Sequence, residues 1–291
     1  MSAISEPVKR LLRTTLGAER GDRIIGTLVD AKSRVEYALS PSGRRSSAQL
    51  ARMRDRHAGE RCVIVGNGPS LREMDLAPLR SEETFGLNRG YLLFQKLGFA
   101  PTYLVAINAN VVDQFASEIL AESSTTFVSW HTRRFLPRGH RAILMRPVRG
   151  PLFSTDPARG IWGGATVTFA ALQLAYHMGF SEVVLIGVDH SFSTPGPAHQ
   201  LVTSSGDDPN HFDPSYFGKG VRWELPNLPL SEVAYRLARK AFEADGRRIL
   251  DATVGGKLTV FPKVELEAAL RPRADPHQGS SLEPAAVRPS S

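Results

Sequence analysis

The residues best suited to chemistry are Gly66-Asn67-Gly68, Asn88, Asn108 and Asp189-His190, each directly after a short β-rich run. Val63-Ile-Val-Gly-Asn-Gly-Pro-Ser-Leu71 reads as a strand, a tight turn and a helix start. Gly66 and Gly68 let the backbone turn sharply and leave room for a ligand. Pro69 suits a first helical turn, where its missing N–H costs nothing. The exposed amides of that turn attract phosphate, and the Asn67 side chain can donate to a nucleotide or phosphate oxygen. The loop is not a P-loop, since no Gly-Lys-Ser/Thr follows. Nor is it the dinucleotide fingerprint, since Leu71 stands where the third glycine belongs. The plain alternative is a glycine-rich structural turn with no ligand.

These residues need a scaffold that brings them to one edge. Strand-like runs cover 62–65, 84–87, 102–107, 126–130, 142–145 and 182–188, with helical patterns at 111–121, 165–178 and 230–244. Strands alternating with helices predict βαβ units: a Rossmann-like α/β fold, with a mainly parallel sheet and helices on both faces. Ligands of such sheets bind beyond the carboxyl ends of the strands. Gly66–Gly68, Asn88-Arg89, Asn108–Asn110, Trp130-His131 and Asp189-His190 all end strands, and that recurrence outweighs the general loop preference for Asn and Gly. Residues 1–57 form a basic, helical N-terminal arm in which Ser40-Pro-Ser-Gly-Arg-Arg-Ser-Ser is expected to be a loop. Residues 58–270 form the Rossmann-like domain, and 271–291 a Pro/Ser-rich disordered tail.

With 291 residues and a 42% hydrophobic fraction, the chain can bury a real core. The single Cys62 excludes an internal disulfide framework. No apolar run is long enough for a secretory signal or a membrane span, so a cytoplasmic protein is expected, with peripheral attachment to the inner face of a membrane an open option. The net charge is +7, and residues 1–60 hold 12 basic against 7 acidic side chains. Seven more Arg fall within 121–160. Two basic regions suit anionic partners. The chain lacks RNA-binding aromatic signatures and zinc-finger spacing, which argues against nucleic acid.

Gly66-Asn-Gly-Pro-Ser-Leu71, Asn88, Gly163-Gly-Ala-Thr-Val-Thr168, Leu185-Ile-Gly-Val-Asp-His190 and Asp251-Ala-Thr-Val-Gly-Gly256 occur together in this order. Over residues 60–265 the chain resembles the MptE-like family, named for an archaeal 6-hydroxymethylpterin diphosphokinase. That family includes Maf flagellin glycosyltransferase-like proteins. The chain is also similar to bacterial CMP-sialic-acid transferases, which share the glycine loop, the strand-end Asn and the Gly-Val/Ile-Asp strand end.

The resemblance implies that Gly66, Asn67, Gly68, Ser70, Asn88 and Asn108 hold the nucleotide part of a donor. It implies that Gly164, Thr166 and the amides of the following helix hold a phosphate or carboxylate. Asp189 would orient His190 or a ribose hydroxyl, and Arg159 would meet an anionic group. In the transferases a lid follows the Gly-x-Asp strand end and carries a His base and phosphate-gripping Tyr residues. Here the lid corresponds to residues 191–227, with Asn210-His-Phe-Asp-Pro-Ser-Tyr-Phe-Gly218. His211 is the candidate base, because an imidazole can take a proton near neutral pH, and Tyr216 the candidate donor to a leaving phosphate. The sequence departs from the transferases at Ser191, where they carry Tyr, and at Ser215, where counting places their His.

Three functions compete. A glycosyltransferase would use a nucleotide-sugar donor, CMP-sialic-acid-like, with a glycan or protein acceptor and no required metal or other cofactor. A pterin diphosphokinase would use ATP with Mg²⁺ and carboxylates to hold it. A non-catalytic module would bind nucleotide without turnover. Self-association into a homo-oligomer is compatible with all three.

Overall fold

The computed structural model describes residues 5–121 and 125–271. Three helices come first: α1 (Glu6–Leu16), α2 (Ala18–Leu39) and α3 (Pro41–Arg52). The segment expected to be a loop at Ser40 is therefore the start of a helix. Ser40 is its N-cap, with its hydroxyl oxygen accepting from the Gly43 N–H at 2.9 Å, and Pro41 occupies the first turn. Ser-Pro here is a helix start signal, because the cap satisfies an orphan N–H while Pro sacrifices none.

The remaining elements alternate as the pattern requires. They are β1 (Arg61–Val65), β2 (Glu83–Leu87), α4 (Tyr91–Leu97), β3 (Tyr103–Ala106), α5 (Ala109–Ala121), β4 (Thr125–Ser129), β5 (Ile143–Met145), α6 (Val167–His177) and β6 (Glu182–Ile186). Then follow β7 (Leu201–Thr203), β8 (Arg222–Glu224), α7 (Leu228–Ala244), β9 (Arg248–Asp251) and α8 (Leu266–Leu270). Seven strands form one sheet in the order β5-β4-β3-β2-β1-β6-β9. Every pair within it is parallel. The chain runs outward from β1 to β5, then crosses back to place β6 on the other side of β1. That reversal between β1 and β6 is the switch point where such sheets open a crevice.

The strands are near-continuous apolar runs because both faces are covered. Alternate residues go to opposite sides. Cys62, Ile64, Phe85, Val105 and Leu185 pack with α6 and α7 through Phe169, Leu172 and Phe242. Val63, Val65, Leu104, Val128 and Ile186 pack with α4 and α5 through Phe94, Val112 and Ile119. α3 closes the β5 edge: the Leu144 N–H donates to Ser46 Oγ at 2.9 Å, and the Tyr37 hydroxyl donates to Leu144 O at 2.8 Å. β9 was not foreseen, since Arg248–Asp251 is four residues long and only its two inner positions Ile249 and Asp251 face strongly inward. Residues 272–291 of the expected tail lie outside the described residues. Among the described residues, no helix is long and apolar enough to cross a membrane.

Candidate functional site

A cavity of about 440 Å³ opens at the carboxyl ends of β1, β2, β3 and β6, within the range that holds small ligands. Its wall includes Gly66, Asn67, Gly68, Asn88, Asn108, Gly164, Thr166, Asp189, His190, His211 and Tyr216. Eleven of the thirteen residues singled out from the sequence thus share one cavity. Ser70 and Arg159 do not line it. The fourth strand end, Trp130-His131, is also elsewhere, covered by α2: Tyr37 meets Trp130 edge-on at 5.1 Å and Ser33 lies 3.5 Å from His131.

The glycine loop is tied to β6 rather than left open. The Gly66 N–H donates to Ile186 O at 2.7 Å and the Gly68 N–H to Gly187 O at 2.9 Å. Any side chain at Gly66 would lie 2.2 Å from Gly187 O. The Ser70 N–H and hydroxyl donate to the two Asp189 carboxylate oxygens, at 3.1 and 2.7 Å. Ser70 and Asp189, both expected to meet ligand, therefore spend their polar groups latching the loop to the β6 end.

The Asn side chains act differently from the expected row of donors. The Asn67 amide nitrogen donates to Leu87 O at 3.0 Å, across to the β2 end. Its Oδ1 is buried and has no hydrogen-bond partner, and the same is true of Asn88 Oδ1. Buried polar atoms are nearly always satisfied, so two orphan acceptors among the residues of one pocket wall stand out. Asn108 Oδ1 caps α5, accepting from the Asn110 and Val111 N–H groups at 2.9 and 3.2 Å. That leaves only its amide nitrogen for a ligand.

The backbone is strained where the wall is built. Asn88, Ala165 and His190 have φ of 51°, 61° and 55°, a region that side chains other than glycine rarely adopt. Such outliers cluster at functional sites. At the α6 end, Thr166 Oγ1 accepts from the Thr168 N–H at 3.3 Å as the N-cap. The positive end of this 11-residue helix thereby abuts the cavity. His190 Nε2 lies 3.1 Å from Glu232 of α7.

The lid is folded down. β7 and β8 form a small antiparallel hairpin within it. Residues 210–217 fill the space between the hairpin and the sheet. The Phe212 N–H donates to Asn67 O at 2.8 Å. Arg72 donates to Phe212 O and His211 O at 2.8 and 2.9 Å. Arg89, buried and stacked over Phe115 at 3.8 Å, donates to Ser215 O at 3.0 Å and also to Tyr216 O. Lys96 pairs with Asp213 at 2.6 Å. Burial alone would raise the Asp213 carboxyl, but hydrogen bonds from Lys96 and Ser215 outweigh it and hold it at about 2. The sign follows: this tie is at full strength above the ordinary carboxyl value of 3.8 and is lost as pH falls from there through about 2. Fluorescence of Trp223, stacked on Phe217 at 5.1 Å, should be flat above pH 4 and change below it. Lys96→Met should move that change toward higher pH, and an identical profile in the variant would refute the tie.

Within the lid, His211 Nδ1 lies 2.6 Å from Asp208 Oδ2. Asp208 is buried and also accepts from the Asn210 and Phe217 N–H groups, at 2.8 and 3.0 Å. A carboxylate fixed by those two donors holds the Nδ1 proton of His211, which leaves Nε2 as the basic nitrogen. The Tyr216 ring stacks on His211 at 4.0 Å between centroids. Its hydroxyl is turned away and accepts from the Arg89 N–H at 3.3 Å. Burial pushes that hydroxyl well above its ordinary range. Tyr216 was expected to donate to a leaving phosphate; here its ring packs on the imidazole and its hydroxyl oxygen takes the Arg89 N–H. Asp208 was not foreseen; its only trace in the sequence is an Asp three residues before a His in a turn-rich segment.

The Arg-rich stretch does not reach the cavity. Arg159 is 89% exposed and pairs with Asp156 at 3.3 Å. Arg146 pairs with Asp30 of α2 at 2.8 Å, and Arg149 donates to Arg23 O at 3.2 Å. These side chains bind the N-terminal helices to the β5 side of the sheet. No Lys or Arg is among the described residues lining the cavity, and its carboxylates are Asp189 and Glu224. Asp189 is occupied by Ser70, and Glu224 is exposed and accepts from Asn110 at 3.1 Å. Two free, facing carboxylates, the usual means of holding Mg²⁺ beside phosphates, are not assembled there. The one grouping with metal-like spacing among the described residues, His57, Glu60 and Glu83, lies at the opposite, amino end of the strands. Both His57 ring nitrogens are engaged there, by Glu60 at 2.7 Å and Tyr103 at 2.6 Å.

No curated protein matches the chain. A family model does, over residues 42–195, more than half of the sequence; it is described as 6-hydroxymethylpterin diphosphokinase MptE-like. The matched span takes in the glycine loop, the strand-end asparagines, α6 and Asp189-His190, and stops near the start of the lid. The chain, whose matched residues supply the sheet side of the switch-point cavity, belongs to the MptE-like family.

Proposed function

We propose that the protein is a transferase that moves a sugar from a nucleotide-activated donor of the CMP-nonulosonic-acid class to a hydroxyl acceptor. The observation that carries this reading is His211, which lines the cavity and is backed by the buried Asp208 carboxylate at 2.6 Å. The acceptor oxygen attacks the anomeric carbon while the bond from that carbon to the phosphate oxygen breaks. The acceptor proton passes to His211 Nε2, and the imidazolium is balanced by Asp208. The phosphate departs with the bonding electrons, and the α6 terminus offers N–H groups to the charge it gains. The orphan Oδ1 atoms of Asn67 and Asn88 accept from donor groups of the nucleotide or sugar.

The family's description suggests an enzyme of the diphosphokinase-like class, and a diphosphokinase is the second reading. Its Mg²⁺ and ATP fit this cavity less well, since neither cations nor paired free carboxylates line it.

A thermal-shift screen of CMP, UDP, GDP and ATP, each with and without Mg²⁺, separates the readings. A ligand that binds only the native state stabilises it by about 2.7 kcal/mol at a hundredfold excess over Kd. Stabilisation by CMP without metal supports the transferase, and stabilisation by Mg-ATP alone supports the kinase. Asn67→Asp replaces the donor to Leu87 O with an oxygen and adds a charge beside an anionic ligand. It should abolish the CMP shift. Equal shifts in wild type and variant would remove Asn67 from the binding wall.

A further inference from the structure

The described residues expose eleven large apolar side chains, and seven of them lie on the first two helices: Val8, Leu11, Leu16, Ile24, Leu28, Val35 and Leu39. The concentration is not an accident of a frayed terminus, because α2 has a second, packed face. Gly21, Ile25 and Tyr37 are buried, Asp30 is tied to Arg146, and Gly26 sits against Arg149. Ile24, Leu28, Ala31, Val35 and Ala38 recur at alternating spacings of four and three, so they form one stripe on the outward side. Leu39 extends it and is 69% exposed.

Charge is sorted around that stripe. On a 3.6-residue period Arg20, Arg23 and Arg34 border one flank and Lys32 the other, all exposed. The acidic residues Glu19, Asp22, Asp30 and Glu36 fall on the far side. Three of these are already neutralised: Asp22 by Arg13 at 2.7 Å, Asp30 by Arg146 at 2.8 Å, and Glu36 by Arg133 at 3.6 Å. Among the described residues, Arg20, Arg23 and Arg34 enter no ion pair. Lys32, on the other flank, lies 3.8 Å from Glu36. An apolar stripe flanked by cations, three of them unpaired, with the acids turned away, is the pattern of a helix that lies in an anionic lipid interface.

We propose that the α1–α2 hairpin docks the protein on an anionic bilayer surface, with Leu28 and Val35 inserted and Arg20, Arg34 and Lys32 at the headgroups. A second copy of the chain is disfavoured, because pairing two stripes would bring these cations together. An acidic protein groove is disfavoured by extent. The stripe runs from Ile24 to Leu39, 16 residues of the 22-residue helix, about 24 Å at 1.5 Å per residue. Exposed apolar positions continue onto α1, which buries no side chain of its own. A helix of 11 residues is marginal without a surface to lie on.

The test is co-sedimentation of the full chain with phosphatidylcholine vesicles, with and without phosphatidylglycerol, at low and high salt. Binding is expected only to the anionic vesicles and is lost in high salt. Arg20→Gln with Arg34→Gln should weaken it about twenty-five-fold, about fivefold for each cation removed from the surface. Leu28→Ser with Val35→Ser should abolish it while leaving the melting temperature unchanged, since both side chains are exposed. No binding, or equal binding to neutral vesicles, overturns the proposal. So does a solution dimer that Leu28→Ser dissolves; absence of vesicle binding leaves an acidic protein surface as the occupant.

Discussion

His211→Ala is expected to lower release of CMP from a CMP-nonulosonate donor in the presence of acceptor by about 10²–10⁴-fold, the usual weight of a positioned proton acceptor. Nucleotide affinity should hold nearly constant, because the orphan acceptors and the α6 terminus lie on the sheet side of the cavity and not on the lid. The companion variant is Asp208→Asn. It keeps the acceptor for one lid N–H but presents an amide to Nδ1, which disturbs the tautomer that leaves Nε2 free. A positioning role predicts a fall in kcat with an altered pH profile and little change in KM. If Asp208→Asn changed only the melting temperature, the pair would be a lid strut. If His211→Ala turned over normally, His211 would have no chemical role and the cavity would be a binding module.

Gly66→Ala should be strongly damaging to the fold. The added carbon would lie 2.2 Å from Gly187 O and 2.6 Å from Gly187 C. Both are backbone atoms, and both are pinned by the hydrogen bonds that join the loop to the β6 end. Relief requires the β1 and β6 ends to part, which opens the core at its central strand pair. Overpacking of this kind costs about 3 kcal/mol at the upper end of its usual range. In a domain of this size that lowers Tm by about 6–12 °C. Gly68→Ala gives an informative contrast. Its methyl would lie 1.7 Å from Asp189 Oδ2, a side-chain atom that can swing away, and 2.9 Å from Gly187 O, a much milder backbone contact than that of Gly66. It should release Ser70 and lower affinity more than stability. An unchanged Tm in Gly66→Ala would mean that the loop is not clamped as described.

The contrast between these two glycines shows what the sequence makes legible. That Gly66 and Gly68 mark a tight, crowded turn follows from residue type, and so does its place after a buried strand. Which atoms crowd it does not, because Gly187 and Asp189 lie more than a hundred positions away. The same divide runs through the site. Asn67 and Asn88 stand at strand ends that any alternating pattern exposes, so their convergence could be expected. The direction of the Asn67 amide is set by Leu87 O, a partner only the folded sheet supplies, and so an acceptor appears where a donor was expected. Arg159 looked like an anion ligand by composition, yet its charge is spent beside Asp156 on the surface. Ser40-Pro41 read as a linker because turn residues and helix caps draw on the same alphabet. Asp208 carried no periodic signal at all, since it acts inside an irregular lid whose fold rests on Arg72, Arg89 and Lys96 from other elements.

The most direct measurement is a calorimetric titration of CMP into the protein in the presence of a metal chelator, beside a titration of ATP with Mg²⁺. Saturable CMP binding under chelation, lost in Asn67→Asp, is the result expected of a cavity that grips its ligand with neutral groups and a helix terminus. Heat from Mg-ATP alone, with CMP silent, would contradict it and return the protein to diphosphoryl transfer.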